Sequence, residues 1–221
     1  MKKTWLLFAS LTLAISMLAA CNSTNKSKEN EDETDTQVES GETNGEETSE
    51  ENVEEPTTSE NRDSEKTLTY SVNKEVKEAT ANLTDSEDQN YSLYKLDGFT
   101  LTGEKPNKDS LYLDDNPAVF MQVETISKDD ASLEIIAKNM HETITSVSIN
   151  KEPIEIGADK LPKGEGVLNP SGYQTTFELG TVSGFVFEQG NIIVRLTIFD
   201  QKSVNQTDAF LKMGETIAAK K

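Results

Sequence analysis

The chain has 221 residues, a formal net charge of −19 and one cysteine. Its 40 acidic against 21 basic residues argue against a nucleic-acid partner, because phosphate binding rests on clustered Lys and Arg. The same charge argues against attraction to anionic membrane surfaces. A single cysteine has no partner for a disulfide within the chain, so the fold must be stable without one.

Charge and apolar side chains are unevenly spread along the chain. Residues 22–67 carry 16 acidic and 4 basic side chains, and their only large apolar residues are Val38 and Val53. All five tyrosines follow this segment, and about 150 residues are enough for a stable domain. The predicted segments are an apolar leader (1–20), a tether (21–67) and a single globular domain (68–221).

The leader has the layout of a secretory signal. Lys2 and Lys3 precede WLLFASLTLAISMLAA, a run of 16 residues without a charge. This length is typical of a signal-peptide h-region and is short for a spanning helix of about 20 residues. An uncleaved N-terminal membrane anchor is the alternative.

The end of the leader, LAAC, places small residues directly before Cys21. This ending resembles the lipobox of bacterial lipoproteins. The resemblance implies cleavage before Cys21 and a thioether-linked diacylglycerol on its sulfur, and the new amino group can be acylated as well. Two acyl chains give stable anchoring where one is marginal. We therefore expect a cell-membrane protein on the extracytoplasmic face, with the lipid on Cys21 as its membrane contact.

The tether is rich in Glu, Thr, Ser and Asn and has almost nothing to bury. Such composition predicts disorder, because burial cannot offset the entropy of the chain. Repulsion between the Glu-rich blocks extends it further. The tether is interpreted as a spacer; an acidic tail that binds cations or a basic partner is the alternative.

Short alternating segments open the domain and predict strands. Residues 75–83 fit either a helix or a strand, and a hairpin with 68–72 through Asn73-Lys74 is preferred. Asp97-Gly98 is a strong hairpin signal. The predicted strands of this half are 68–72, 91–96, 99–103, 111–113 and 118–126, with a loop before 111 and a turn at 114–117.

Leu133, Ile136, Met140 and Ile144 follow at helical spacing and predict a helix over 131–143. Asp129 or Asp130 is the expected N-cap. The remaining predicted elements are strands at 145–149, 153–156 and 173–180, a hairpin over 183–200 with its turn at Gln189-Gly190-Asn191, an irregular stretch over 157–172, and a final helix over 206–221.

Residues 192–199 are apolar on both faces, which predicts a central, covered strand. The order of strands, helix, strands and helix predicts an α+β domain, a mostly antiparallel β-sheet with two packed helices. This order resembles PsbP/Mog1-like domains over about residues 68–221. The resemblance implies a non-enzymatic binding or assembly role.

Few residues are candidates for chemistry. His141 is the only histidine, so a metal or catalytic role lacks partners and a structural role is expected. Asp114, Asp115 and Asn116 lack the spaced ligands of a calcium loop and are interpreted as a turn. The glycines of KGEG do not match a phosphate loop, and G-x-S-x-G is absent. No catalytic residue, metal ligand or cofactor is predicted.

Two residues are candidates for ligand recognition. Arg195 stands on an otherwise apolar strand and is expected at a sheet rim or paired with a carboxylate. Tyr173 directly follows the irregular stretch 157–172, and loops on a rigid sheet often carry binding.

Three functional hypotheses follow. The preferred hypothesis is a membrane-anchored lipoprotein with a non-catalytic binding or assembly domain and a protein or cell-envelope partner. The alternative is an extracytoplasmic hydrolase that works through carboxylates, since the domain contains 24 acidic residues. The third is a structural or stress protein without a small ligand.

Overall fold

A computed structural model describes residues 62–105, 107–149 and 151–220. The predicted leader, Cys21 and nearly all of the tether lie outside the described residues. The described strands are β1 (Glu65–Val72), β2 (Glu75–Asp85), β3 (Tyr91–Leu96), β4 (Phe99–Lys105), β5 (Lys108–Leu113), β6 (Asn116–Ser127), β7 (Ile154–Glu155), β8 (Val167–Thr176), β9 (Gly180–Gln189), β10 (Ile192–Gln201) and β11 (Ala218–Ala219). The helices are α1 (Leu133–Val147) and α2 (Thr207–Gly214).

The strands form two sheets rather than one. The smaller sheet has the order β1-β2-β3-β11, and the larger sheet has the order β4-β5-β6-β10-β9-β8-β7. All of their strand pairs are antiparallel. The predicted α+β class, with mostly antiparallel strands and two helices, is confirmed.

The first hairpin confirms the strand interpretation of residues 75–83. Val72 pairs with Glu75 across a two-residue turn. Asn73 and Lys74 have φ values of 54° and 71° in that turn, the left-handed conformation that matches the twist of a tight hairpin. β1 begins at Glu65, so residues 65–67 lie in the sheet and not in the tether.

Asp97-Gly98 does not close a hairpin, contrary to the sequence prediction. β3 pairs with β2 on one edge. On its other edge β11 pairs with the first two residues, and the amides of Tyr94 and Leu96 donate to Thr216 and Met213, so no edge is free for β4. The turn instead moves the chain into the larger sheet. Gly98 has φ 83°, and its carbonyl accepts a 2.9 Å hydrogen bond from the amide of Asp114.

α1 begins later and ends later than predicted. Ser132 is the N-cap and accepts a hydrogen bond from the amide of Ile135, so neither Asp129 nor Asp130 has that role. The helix continues to Val147, which makes the predicted strand 145–149 wrong. The reason is tertiary, because Ile144 is fully buried against the larger sheet and packing overrides the β-propensity of the segment.

The C-terminal segment is also corrected. α2 ends at Gly214 instead of running to residue 221, and β11 then pairs with β3. A Cβ on Gly214 would lie 2.5 Å from Cδ1 of Leu196, so the glycine lets the end of α2 lie close to β10. The irregular stretch 157–172 is shorter than predicted, because β8 begins at Val167.

Two apolar clusters hold these elements together. The main core contains residues of both sheets and of α2. A second cluster lies between α1 and the other face of the larger sheet, and contains Met140, Ile144, Val182, Val186 and Ile193.

β10 lies between β6 and β9 and is covered on both faces, which confirms its predicted central position. Neither described helix has the length and apolarity needed to cross a membrane.

Candidate binding cleft

A cleft of about 470 Å³ opens beside the beginning of β1, the end of α2 and Gln189 at the end of β9. Its wall contains side chains of both charge signs and one aromatic ring. The basic residues are Arg62, Lys66 and Lys212, the carboxylates are Asp63, Glu65, Glu165 and Glu215, and the ring is Tyr94. The cleft therefore suits a polar ligand that carries both charge signs.

Arg62 is held by backbone groups from two distant parts of the chain. One guanidinium nitrogen donates to the carbonyl and the hydroxyl of Ser92, at 3.2 and 2.9 Å. The other donates to the carbonyl of Thr216 at 2.7 Å. Burial lowers the pKa of Arg62, and the carboxylate of Asp85 opposes that effect. The guanidinium stays charged, because arginine does not deprotonate in proteins.

The ring of Tyr94 lines the cleft beside two of its cations. The guanidinium carbon of Arg62 lies 4.4 Å from the ring centroid, and Nζ of Lys66 lies 5.8 Å from it. Both distances are within the range of a cation–π interaction. The hydroxyl of Tyr94 donates to the carbonyl of Asp63 at 2.8 Å, and its amide donates to the hydroxyl of Thr216 at 2.8 Å.

Glu215 ties a loop to the end of α2. Its side chain is only 7% exposed. One carboxylate oxygen accepts from the amide of Lys163 at 3.0 Å, and both accept from Nζ of Lys212 at 2.9 and 2.8 Å. A Cβ on Gly164 would lie 2.6 Å from the carbonyl oxygen of Glu215. The oxygens of Glu215 therefore serve the fold of the cleft wall.

Gln189 also lines the cleft. Its Nε2 donates to the carbonyl of Glu165 at 2.8 Å. Its Oε1 is buried and has no hydrogen-bond partner among the described residues. The side-chain amide of Gln189 therefore holds the loop at Glu165 to the end of β9.

The two predicted recognition residues lie elsewhere. Arg195 donates to Oε1 of Glu124 at 2.8 Å and to the hydroxyl of Thr143 at 2.7 Å, so the expected pairing with a carboxylate is present. Tyr173 makes an edge contact with the ring of His141, with centroids 4.7 Å apart. Neither Arg195 nor Tyr173 lines the cleft.

α1 separates these two residues from each other. Thr143, which contacts Arg195, and His141, which contacts Tyr173, are two positions apart on the helix. Two positions correspond to about 200° of rotation, so the contacts lie on opposite flanks of α1. The structure does not bring Arg195 and Tyr173 into one site.

The structure also places Asp114, Asp115 and Asn116, which the sequence interprets as a turn. Asp114 and Asp115 form the turn between β5 and β6, and Asn116 is the first residue of β6. Oδ1 of Asp114 accepts from the hydroxyl of Thr100 at 2.7 Å. Within the described ranges, no group of three or more His, Cys, Asp or Glu residues is placed to hold a metal ion. Cys21 lies outside the described residues.

Sequence reasoning missed Arg62 and Tyr94. Arg62 lies in the segment assigned to the tether, and Tyr94 lies in a strand whose apolar pattern gives no sign of a site. Gly164 and Glu165 fall inside the irregular stretch 157–172, which is the one sequence signal that points toward the cleft.

Comparison with known proteins gives limited information. Residues 62–157 match a family described as Domain of unknown function (DUF8580). No curated protein matches the chain. A solved structure from Bacteroides thetaiotaomicron VPI-5482 is similar over 63% of this chain, with 12% sequence identity and a TM-score of 0.41. The chain spans 48% of the length of that protein.

Proposed function

We propose that the chain is a lipid-anchored protein on the extracytoplasmic face of a bacterial membrane, and that its domain binds a partner without catalysing a reaction. The anchor part rests on the sequence of the leader, in which Lys2 and Lys3, the uncharged run and LAAC occur in the order of a lipoprotein signal. Cys21 is the lipid-attachment residue in this proposal.

The binding part rests on the cleft around Tyr94. Basic and acidic side chains both line the cleft. Arg62, Lys212 and Glu215 are held in place by hydrogen bonds within the domain. Side chains that are fixed before binding lose little conformational entropy when a ligand arrives. We infer that the partner is a segment of an envelope protein that carries both basic and acidic side chains.

The contacts of the cleft favour binding over the carboxylate-dependent hydrolase. A pair of carboxylates that performs acid and base chemistry must have oxygens free to reach the substrate. Glu215, the buried carboxylate of the cleft, accepts three hydrogen bonds from Lys163 and Lys212. Three of its about four acceptor positions are therefore used by the loop and the helix end.

The anchor is tested by replacing Cys21 with Ala and labelling cells with an alkyne fatty acid. We expect the wild type and the matched control Ser23→Ala to incorporate label and Cys21→Ala to incorporate none. The intact mass of each protein shows whether the leader was removed. Label on Cys21→Ala would contradict the anchor.

The cleft is tested by photo-crosslinking on intact cells. A photoreactive amino acid replaces Lys66 at the cleft, or the exposed Lys138 on α1 as a control. We expect a discrete crosslinked product from position 66 that is absent from position 138. The same products from both positions would contradict a binding site at the cleft.

A further inference from the structure

We propose that residues 62–64 form a strap that locks the N-terminal entry of the domain onto its C-terminal segment, with Arg62 as the fastening residue. When the strap is closed it completes one wall of the cleft, and when it opens it exposes the ring of Tyr94. This inference rests on contacts within the domain and does not depend on the partner or on the lipid anchor.

All three residues of the strap are bonded to other elements. Arg62 donates to the carbonyls of Ser92 and Thr216. The carbonyl of Asp63 accepts from the hydroxyl of Tyr94 at 2.8 Å. The carbonyl of Ser64 accepts from the amide of Leu83 at 2.8 Å.

Arg62 connects the two ends of the domain. Its bond to Thr216 spans 154 positions of the sequence. Thr216 in turn accepts from the amide of Tyr94 through its hydroxyl, at 2.8 Å. The N-terminal entry, β3 and the segment between α2 and β11 are thus joined by one side chain.

The hydrogen bonds of residue 62 require the geometry of an arginine side chain. Its planar fork donates in two directions at once, while its central carbon lies 4.4 Å from the centroid of Tyr94. Charged donors also make stronger hydrogen bonds to carbonyls than neutral donors do. A lysine at position 62 has a compact ammonium that cannot reproduce the fork, so Arg62→Lys is not a conservative change.

The strap is also part of the cleft wall. Arg62 and Asp63 line the cleft together with Tyr94 and Thr216. Release of the strap and opening of the cleft wall are therefore one event.

Hydrogen exchange of the purified full-length chain in detergent tests the strap. The amide of Leu83 reports closure directly, because it bonds to Ser64. We expect Arg62→Ala to speed exchange at Leu83 by about tenfold and Arg62→Lys to speed it by less. The matched control is Lys66→Ala, which removes the other cation near Tyr94 and is expected to leave exchange at Leu83 unchanged.

Two results would overturn the strap. One is unchanged exchange at Leu83 in Arg62→Ala. The other is equal acceleration at Leu83 and at Val194 in the central strand β10, because that pattern means a general loss of stability. If Arg62→Ala does not fold, Tyr94→Phe removes only the bond to Asp63, and it is expected to speed exchange at Leu83 about two- to threefold while Val194 stays protected. Unchanged exchange at Leu83 in that variant also overturns the strap.

Discussion

The hydroxyl of Tyr91 donates a 2.6 Å hydrogen bond to Oδ2 of Asp109, and these side chains are 0% and 1% exposed. Tyr91 belongs to β3 of the smaller sheet and Asp109 to β5 of the larger sheet, so the bond links the two sheets through the core. The second oxygen of Asp109 has no hydrogen-bond partner among the described residues. Among the described residues, Tyr91 therefore supplies the only side-chain hydrogen bond that this buried carboxyl accepts.

Removal of the Tyr91 hydroxyl should destabilise the domain strongly. Tyr91→Phe leaves the buried carboxyl of Asp109 without its donor, and such a loss costs about 2–3 kcal/mol of unfolding free energy. Urea unfolding of the variant and the wild type measures the difference. The control is Tyr112→Phe, whose hydroxyl donates to the exposed Glu104 and which is expected to change stability by less than about 0.5 kcal/mol. Equal effects of the two substitutions would contradict the prediction.

The same pair predicts a loss of stability in alkali. Burial, followed by the hydrogen bond to Asp109, raises the pKa of Tyr91 above its ordinary value of 10.0. Above about pH 10 the unfolded chain loses this proton while the folded chain keeps it, so the unfolded state is favoured by up to about 1.4 kcal/mol per pH unit. The contribution of Tyr91 is thus complete below pH 10 and declines as the pH rises further.

Urea unfolding between pH 8 and pH 11 checks the alkaline effect. The difference in stability between the wild type and Tyr91→Phe isolates Tyr91 from the other tyrosines and the lysines. We expect this difference to shrink above about pH 10. A difference that stays constant up to pH 11 would mean that Tyr91 ionises equally in both states.

Gly164 should be intolerant of a side chain. A Cβ at this position would lie 2.6 Å from the backbone oxygen of Glu215, which cannot move without displacing the end of α2. We expect Gly164→Ala to cost about 1–3 kcal/mol and to lower the yield of photo-crosslinking from position 66. Gly157→Ala is the control, because its Cβ would meet only the side-chain oxygen of Asp159. Thermal unfolding measures the loss of stability in Gly164→Ala and in Gly157→Ala.

The ion pair of Arg195 should contribute to stability beneath α1. Its side chain is 16% exposed, and its guanidinium pairs with Glu124 at 2.8 Å. Arg195→Ala also removes the bond to Thr143 and leaves Glu124 with Lys108 at 3.4 Å. We expect a loss of about 1–2 kcal/mol, between the effects of an exposed pair and of a buried pair.

Lys128→Ala provides the comparison for Arg195. Its pair with Glu188 is 3.4 Å long, and its side chain is 33% exposed. We expect that substitution to change the unfolding free energy by less than about 0.5 kcal/mol. Guanidinium chloride unfolding measures both variants, and a larger loss for Lys128→Ala would contradict the assignment of Arg195 to a stabilising role.

Sequence reasoning succeeds where the physical cause is local. Alternation and a left-handed turn at Asn73-Lys74 are enough for the first hairpin, and apolar residues on both faces of 192–199 are enough for a central strand. The helical spacing of Leu133 to Ile144 also predicts α1 correctly, although its ends differ by two and four residues. The lipid on Cys21 stays a prediction that rests on the basic residues, the uncharged run and LAAC of the leader.

Tertiary contacts decide the rest. At Asp97-Gly98 the turn chemistry is that of a hairpin, yet β3 already has a neighbour on each side, so the chain enters a second sheet. Near the C-terminus, contact with β3 ends α2 early and forms β11. Both outcomes depend on which strand edges are free for pairing when distant segments of the chain meet. The residue pattern within one segment does not contain that information.

The cleft also separates what local sequence predicts from what tertiary contacts decide. Composition, charge and the LAAC motif predict which part of this chain folds and which residue carries a lipid, because those properties belong to short stretches. The cleft depends on Arg62 reaching Thr216 across 154 positions. Such a contact exists only once both sheets and α2 have packed, which is why only the tertiary structure places a site at Tyr94.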